Sequence, residues 1–208
     1  QDYLDRTPME ITCPETPCLL DIKLTGWLGG HSACVRVANN HTNIIYMARD
    51  DQVLKELPVN GNAEDHLQNK SVLNVKDIIT FAETIPIDVI RPTVGRQIEK
   101  NTAIAAEGLR NSWGANIGST LLQGGTDWAT QARAWAAAGS DARMNGCEMP
   151  VVIVSGSGNQ GITASVPVWK YGQLMGADEE KILRAVCLSD LITIHQKTGI
   201  GRLSAYCG

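Results

Sequence analysis

From Leu19 to about Leu57 the chain sets apolar residues against polar ones in short runs: LLDIKLTG, ACVRVA, NIIYMARD and QVLKEL. Alternation at a period of two marks a half-buried strand. Gly29-Gly30 and Asn39-Asn40-His41 separate the runs in the manner of turns. This stretch therefore predicts the strands and hairpins of a small sheet. Residues 60–71, NGNAEDHLQNKS, are polar and turn-rich and predict a loop. VKDIITFAETI then predicts a helix, stopped by Pro86.

After Pro92 the period changes. Asn101 is positioned to cap a helix over TAIAAEGLRNSW that ends at Gly114, and Thr126 or Asp127 to cap one over WATQARAWAAA that ends at Gly139. Both are rich in alanine, the best helix former. VVIV at 151–154 predicts a buried strand running into Gly156-x-Gly158-x-x-Gly161, with a further helix from about Gly161. Asp178, Glu179 and Glu180 put negative charge at a helix start, where the macrodipole favours it. From there Ile182, Leu183, Val186, Cys187, Leu191, Ile192 and His195 recur at helical spacing up to Gly199. The fold class predicted is α+β: a β-rich region over 1–94 and a mostly helical region over 95–208.

Composition narrows the functions available. A net charge of −4 argues against a nucleic-acid partner, which selects basic faces. No run approaches eighteen apolar residues, so no membrane span is expected, and no segment has the order of a signal peptide. With a single phenylalanine, Phe81, the five tryptophans and the aliphatic residues are expected to fill the interior. Six cysteines at irregular spacing contain no Cys-x-x-Cys pair, so reduced thiols in a cytoplasm are expected. Gln1 in place of methionine, and a close on GRLSAYCG without a polar tail, read as the edges of a piece of a longer protein.

Gly156-x-Gly158-x-x-Gly161 carries the candidate chemistry. A dinucleotide fingerprint needs a second strand ending in an acid some twenty residues on. The acids at 178–180 open a helix instead, and no Lys-Ser/Thr follows the glycines as a phosphate-binding Walker loop requires. What remains is dense in donors: Ser155, Ser157 and Asn159 interleave with Gly156 and Gly158, ahead of a helix start. Such a loop suits a small anion, a substrate carboxylate being the simplest; the other reading is a tight turn in which glycine serves geometry alone.

SDARMNG, MPVVIVSGSGNQGITASVPV and RAVCLSDLITIHQKTGIGRLSAYCG together resemble the L-cysteine desulfidases, relatives of the iron–sulfur L-serine dehydratases. The resemblance runs from about His41, in HTNI, to the end and is densest over 140–208. It implies a lyase that releases pyruvate, ammonia and sulfide (or water) from L-cysteine or L-serine. It implies an oxygen-sensitive 4Fe-4S cluster on three cysteines with one iron open to substrate. Cys207, in SAYCG, matches the first of those ligands and should lie near the SGSGN loop in space. The other two ligands, and an upstream Gly-Cys-Thr-Glu-Pro segment, are absent from this sequence. This stretch alone is therefore expected to be inactive, like a central fragment of the family's chain. Ser155, Gly156, Ser157, Gly158 and Asn159 become the expected substrate-binding loop, Lys197 and Arg202 added carboxylate ligands, and His41 a group near the substrate.

The remaining thiols and imidazoles read as structural. Cys187 and His195 fall on the apolar face of the last helix, Cys34 packs in a strand, and Cys13 and Cys18 bracket a proline-rich start; Cys147 has no companion. Two other function classes stay open at this stage, a non-catalytic domain that binds a small anion or amino acid, and a dinucleotide enzyme. Oligomeric state is not encoded in any pattern here.

Overall fold

The computed structural model describes residues 6–16, 18, 20–40, 42–59 and 70–200. Its contacts divide the chain into two compact units, Gln1–Asn69 and Lys70–Gly208. The class is α+β, as the sequence pattern predicts.

The first unit is a four-stranded antiparallel meander, β1 (Asp21–Leu28), β2 (His31–Ala38), β3 (Ile44–Arg49) and β4 (Gln52–Glu56), in the order β1-β2-β3-β4. Gly29 and Gly30, with φ of 59° and 83°, make the two-residue turn between β1 and β2. Both angles lie in the left-handed region that glycine enters without strain, and this turn type matches the twist of paired strands. The β3–β4 turn puts Asp50 at φ 51°, and the Asp50 carboxylate accepts the Ser32 N–H at 2.7 Å from the neighbouring strand. Asp21 and Arg36 lock β1 to β2 through two hydrogen bonds of 2.8 and 2.6 Å, which hold the Asp21 carboxyl well below the usual carboxylate range. Cys18, Ala38 and Ile45 form the small buried cluster of this unit, and Thr25 Oγ1 donates to Cys34 Sγ.

The second unit is helical: α1 (Val75–Thr84), α2 (Ile87–Arg110), α3 (Ile117–Gly124), α4 (Trp128–Met144), α5 (Gly158–Leu174) and α6 (Glu179–Lys197). Asn74 caps α1, Asp127 caps α4 and Asp178 caps α6, each accepting backbone N–H groups of the first turn. The α1 helix ends before Pro86, as the sequence indicates. Ile90 and Val94 pack with Leu183, Val186 and Cys187 of α6. Residues before 95 therefore contribute to the helical core.

Three local expectations are corrected, and one helix is added. The α2 helix runs unbroken through Pro92 and Asn101. Pro92 removes one backbone hydrogen bond without ending the helix, and the Asn101 amide is taken by tertiary partners instead of capping. The α4 helix continues past Gly139, because that glycine is a contact point: a Cβ there would meet Ala105 and Ile162 at 3.2–3.3 Å. The α3 helix, hidden by its glycines, packs against α4 through Gly118, where a Cβ would lie 2.5 Å from the Ala134 carbonyl oxygen. Residues 151–154 form no strand.

The interior is also not the one composition suggests. The largest fully buried residues are Ile104, Ile162, Val166, Val186, Asn101 and Ser165, whereas Trp27, Trp128 and Phe81 are exposed. Trp113 and Trp135 only flank the cluster of Ile104, Ala105, Ala142, Ile162 and Val166. Alanine and glycine bring α2, α4 and α5 together instead. Among the described residues no helix is long and apolar enough to cross a membrane. At Gly108 a Cβ would stand 2.1 Å from the Ala138 carbonyl oxygen. Gly108→Ala is therefore expected to lower the free energy of unfolding by at least about 1–3 kcal/mol, measured by urea denaturation; an unchanged midpoint would contradict the close approach of α2 and α4.

Candidate functional site

The buried stripe of α2 is Ile90, Val94, Gln97, Asn101, Ile104, Ala105 and Gly108. Two of its members are amides, and both organise the segment that carries the glycines. Asn101 Oδ1 accepts the Val152 N–H at 2.8 Å, and Asn101 Nδ2 donates to the Val152 carbonyl oxygen at 3.1 Å and to Ser165 Oγ at 3.0 Å. The amide thus supplies both bonds that a neighbouring strand would have offered to residue 152. This is how VVIV is held in place without belonging to a sheet. Behind it, the carbonyl oxygen of Val152 would lie 2.0 Å from a Cβ at position 161, so only glycine lets α5 start this close to the extended segment.

Ser157 caps α5, its Oγ accepting the Gln160 N–H at 3.2 Å. The helix begins at Gly158, three residues before the position the sequence suggests. Not all of the loop's donors face outward. The N–H groups of Ser155 and Gly156 both donate to Gln160 Oε1, at 2.9 and 2.8 Å, and Gln160 is buried. Those two donors are satisfied inside the loop. The N–H groups of Gly158 and Asn159 remain at the head of α5, where a helix has no internal acceptors for them.

Arg143, in the last turn of α4, joins them. Its Nη1 donates to Asn159 Oδ1 at 3.2 Å, and a Cβ at Gly158 would fall 2.3 Å from its Nε, so glycine at 158 leaves the space the guanidinium occupies. No carboxylate pairs with Arg143 among the described residues. A cation beside the positive end of a helix is electrostatically unfavourable by itself and becomes favourable with an anion between them.

The second amide, Gln97, is 3% exposed; its Nε2 donates to Asp190 Oδ1 on α6 at 3.0 Å and reaches the Gly161 carbonyl oxygen at 3.5 Å. Burial pushes the Asp190 carboxyl up to about 6, against the opposing pull of the Gln97 bond. Burial likewise raises the thiol of Cys187, packed in the core as its place on the apolar face suggests.

Of the residues singled out from sequence, Ser155, Gly156, Ser157, Gly158 and Asn159 are brought together around the head of α5. Lys197 is buried at the last residue of α6. His41, Arg202 and Cys207 lie outside the described residues. Among the described residues no three histidine, cysteine or acidic side chains converge on a metal position. Arg143, Gln97, Asn101 and Asp190 are additions from the structure. The two amides had a visible signal, polar residues on an otherwise apolar helical stripe. Arg143 had none beyond its place before the glycine segment. A groove of about 540 Å³ lined by Gly95, Ile98, Trp169 and Ile182 lies along the C-terminal half of α5, away from this cluster.

The family model for the serine dehydratase alpha chain matches residues 32–208, which takes in most of the sheet and all of the helical unit. The chain belongs to that family. A UPF0597 protein of Lachnoclostridium phytofermentans is 51% identical over 181 residues, covering 86% of this chain and 43% of its own length. A UPF0597 protein of Treponema denticola is 42% identical over 214 residues, covering 100% of this chain and 50% of the relative. The UPF0597 protein YhaM of Salmonella newport is 37% identical over 204 residues, covering 93% and 47%. The chain spans about half the length of the curated relatives it matches. No solved structure matches it. The family membership read from SGSGNQG and its flanking motifs is borne out, and the matched stretch begins somewhat before His41.

Two measurements test this core. Asn101→Leu strands both the N–H and the carbonyl of Val152, so its unfolding free energy is expected to fall by about 3 kcal/mol in a denaturant titration; a loss under about 1 kcal/mol would mean that water replaces the amide. Asp190, whose folded carboxyl keeps its proton to higher pH than an unfolded one, contributes stability that is full below about pH 4 and lost as pH rises to about 6. Asp190→Asn should remove that slope from a plot of stability against pH, and a slope retained in the variant would exclude Asp190 as its origin.

Proposed function

We propose that this chain is the amino-acid-binding part of an iron–sulfur lyase that converts L-serine to pyruvate and ammonia, or L-cysteine and water to pyruvate, ammonia and hydrogen sulfide. The supporting observation is the head of α5, where the Gly158 and Asn159 N–H groups and the Arg143 guanidinium stand together without a carboxylate among the described residues. Membership of the serine dehydratase alpha chain family supplies the reaction class.

In this reading the substrate α-carboxylate takes the two backbone donors and a fork of the guanidinium, a charge-assisted arrangement that fixes orientation as well as charge. Ser157 and Asn159 present short polar side chains at the same place, suited to the amino acid's remaining polar groups. Gln160, by satisfying Ser155 and Gly156, keeps the turn rigid before substrate arrives, which favours catalysis by positioning. The 4Fe-4S cluster enters the reading through Cys207 alone. The described residues do not themselves form its site.

The test uses the complete protein, purified and reconstituted with iron and sulfide under anaerobic conditions. Pyruvate release from L-serine or L-cysteine is expected, and Arg143→Ala should raise KM about 10–100-fold, the span of one charge-assisted hydrogen bond. Binding without turnover would reduce the proposal to an amino-acid-binding domain. An unchanged KM in the variant would remove Arg143 and the head of α5 from the site.

A further inference from the structure

The Gln97 amide nitrogen faces acceptors on two different helices, Asp190 Oδ1 on α6 at 3.0 Å and the Gly161 carbonyl oxygen on α5 at 3.5 Å. The second contact is at the outer limit of a hydrogen bond, so the amide is shared unequally. Buried as it is, Gln97 has little water to turn to; its two N–H groups share one nitrogen, so a shift of that nitrogen toward one acceptor lengthens its contact with the other. Gly161 is itself tied to the loop. Its N–H returns to the Ser157 carbonyl oxygen at 3.2 Å, its carbonyl accepts Ser165 Oγ at 2.7 Å, and it follows Gln160, which holds Ser155 and Gly156.

Asp190 has no ion-pair partner among the described residues. From Gly158 to Trp169, α5 carries no ionisable side chain. On α2 the charged neighbours of Gln97 in sequence are Arg96, Glu99 and Lys100, the last two paired with each other. On α6, Cys187 lies one turn before Asp190, and Arg184 is engaged by Glu180 and by the carbonyls of Ala82 and Ile85; His195 and Lys197 lie further along the same helix. Ser189, adjacent to Asp190, donates to the Ala164 carbonyl oxygen at 2.8 Å and fixes this part of α6 against α5. Gain or loss of the Asp190 proton is thus answered chiefly by the Gln97 amide.

We propose that Asp190 is a positioning residue for the first turns of α5, acting through Gln97. Ionised, it takes the amide in a charge-assisted bond and draws it from the Gly161 carbonyl; protonated, it accepts more weakly and lets the amide move toward Gly161. The proton on Asp190 then sets how the head of α5 is held, and with it the carboxylate site on which the proposed function rests.

The experiment follows backbone amide shifts of Gly158, Asn159 and Gly161, the Gln97 side-chain amide, and the Asp190 carboxyl carbon from pH 4.5 to 8 in the complete protein. All are expected to move with one midpoint near 6. Asp190→Asn should flatten the amide shifts, and Gln97→Leu should flatten those of Gly158–Gly161 while the Asp190 carbon still titrates. An Asp190 midpoint below 4.5 would overturn the proposal, as would Gly158–Gly161 amides that stay still while Asp190 titrates. In parallel, L-serine affinity should fall about fivefold as pH rises through 6, and not in Asp190→Asn. Linked amide shifts without L-serine binding would sink the carboxylate-site reading alone. Binding of L-serine at one affinity across this range, with unlinked amides, would sink the role of Asp190 alone.

Discussion

One side-chain amide, that of Asn101, decides how the helical unit is put together. It is fully buried, and it answers both polar groups of the Val152 backbone and the hydroxyl of Ser165. A buried peptide group without partners is costly, on the order of 1–3 kcal/mol for each orphaned donor or acceptor. Residues 151–154, half-buried apart from the exposed Ile153, could not lie against α2 and α5 without this substitute for a strand. Where the segment lies then fixes where α5 begins, because Gly161 rests against the Val152 carbonyl and Gly158 against Val151 and Arg143.

The head of α5 gains its character from what surrounds it more than from the glycines alone. Gly158 makes room for a guanidinium, Gly161 permits close approach of backbone, and Gln160 closes the turn from within. Positive ends of dipole and side chain meet there, while the carboxylate of Asp190 is held further along, beneath Gln97 and Gly161.

Much of this was legible in the sequence, for identifiable reasons. The meander follows from alternation and from Gly29-Gly30, the cap of α4 from Asp127 placed ahead of its alanine-rich run, and the start of α6 from the acids at 178–180. The family was carried by SGSGNQG with its downstream motif. Pattern reasoning failed where a residue's usual local role was overridden by a distant partner. Asn101 looked like a cap because nothing local shows that Val152, fifty-one residues away, needs its amide. VVIV looked like a strand because its composition is that of one, yet its hydrogen-bonding neighbour is a side chain. Gly139 looked like a helix end because glycine usually is, whereas here it sits under Ile162 and Ala105. Arg143 was invisible, since its role depends on two helix ends meeting.

The inner surface of α4 has a thermal consequence. Its buried positions are Ala132, Ala134, Ala136, Ala138, Gly139 and Ala142. None of these side chains has rotamers to lose on folding, so the ordering cost of this interface falls on the backbone. Each methyl also exposes little apolar area when the helix comes away, and heat capacity of unfolding scales with that area. An interface built this way adds less curvature to the stability profile than one of leucines, so its contribution changes slowly between cold and warm conditions.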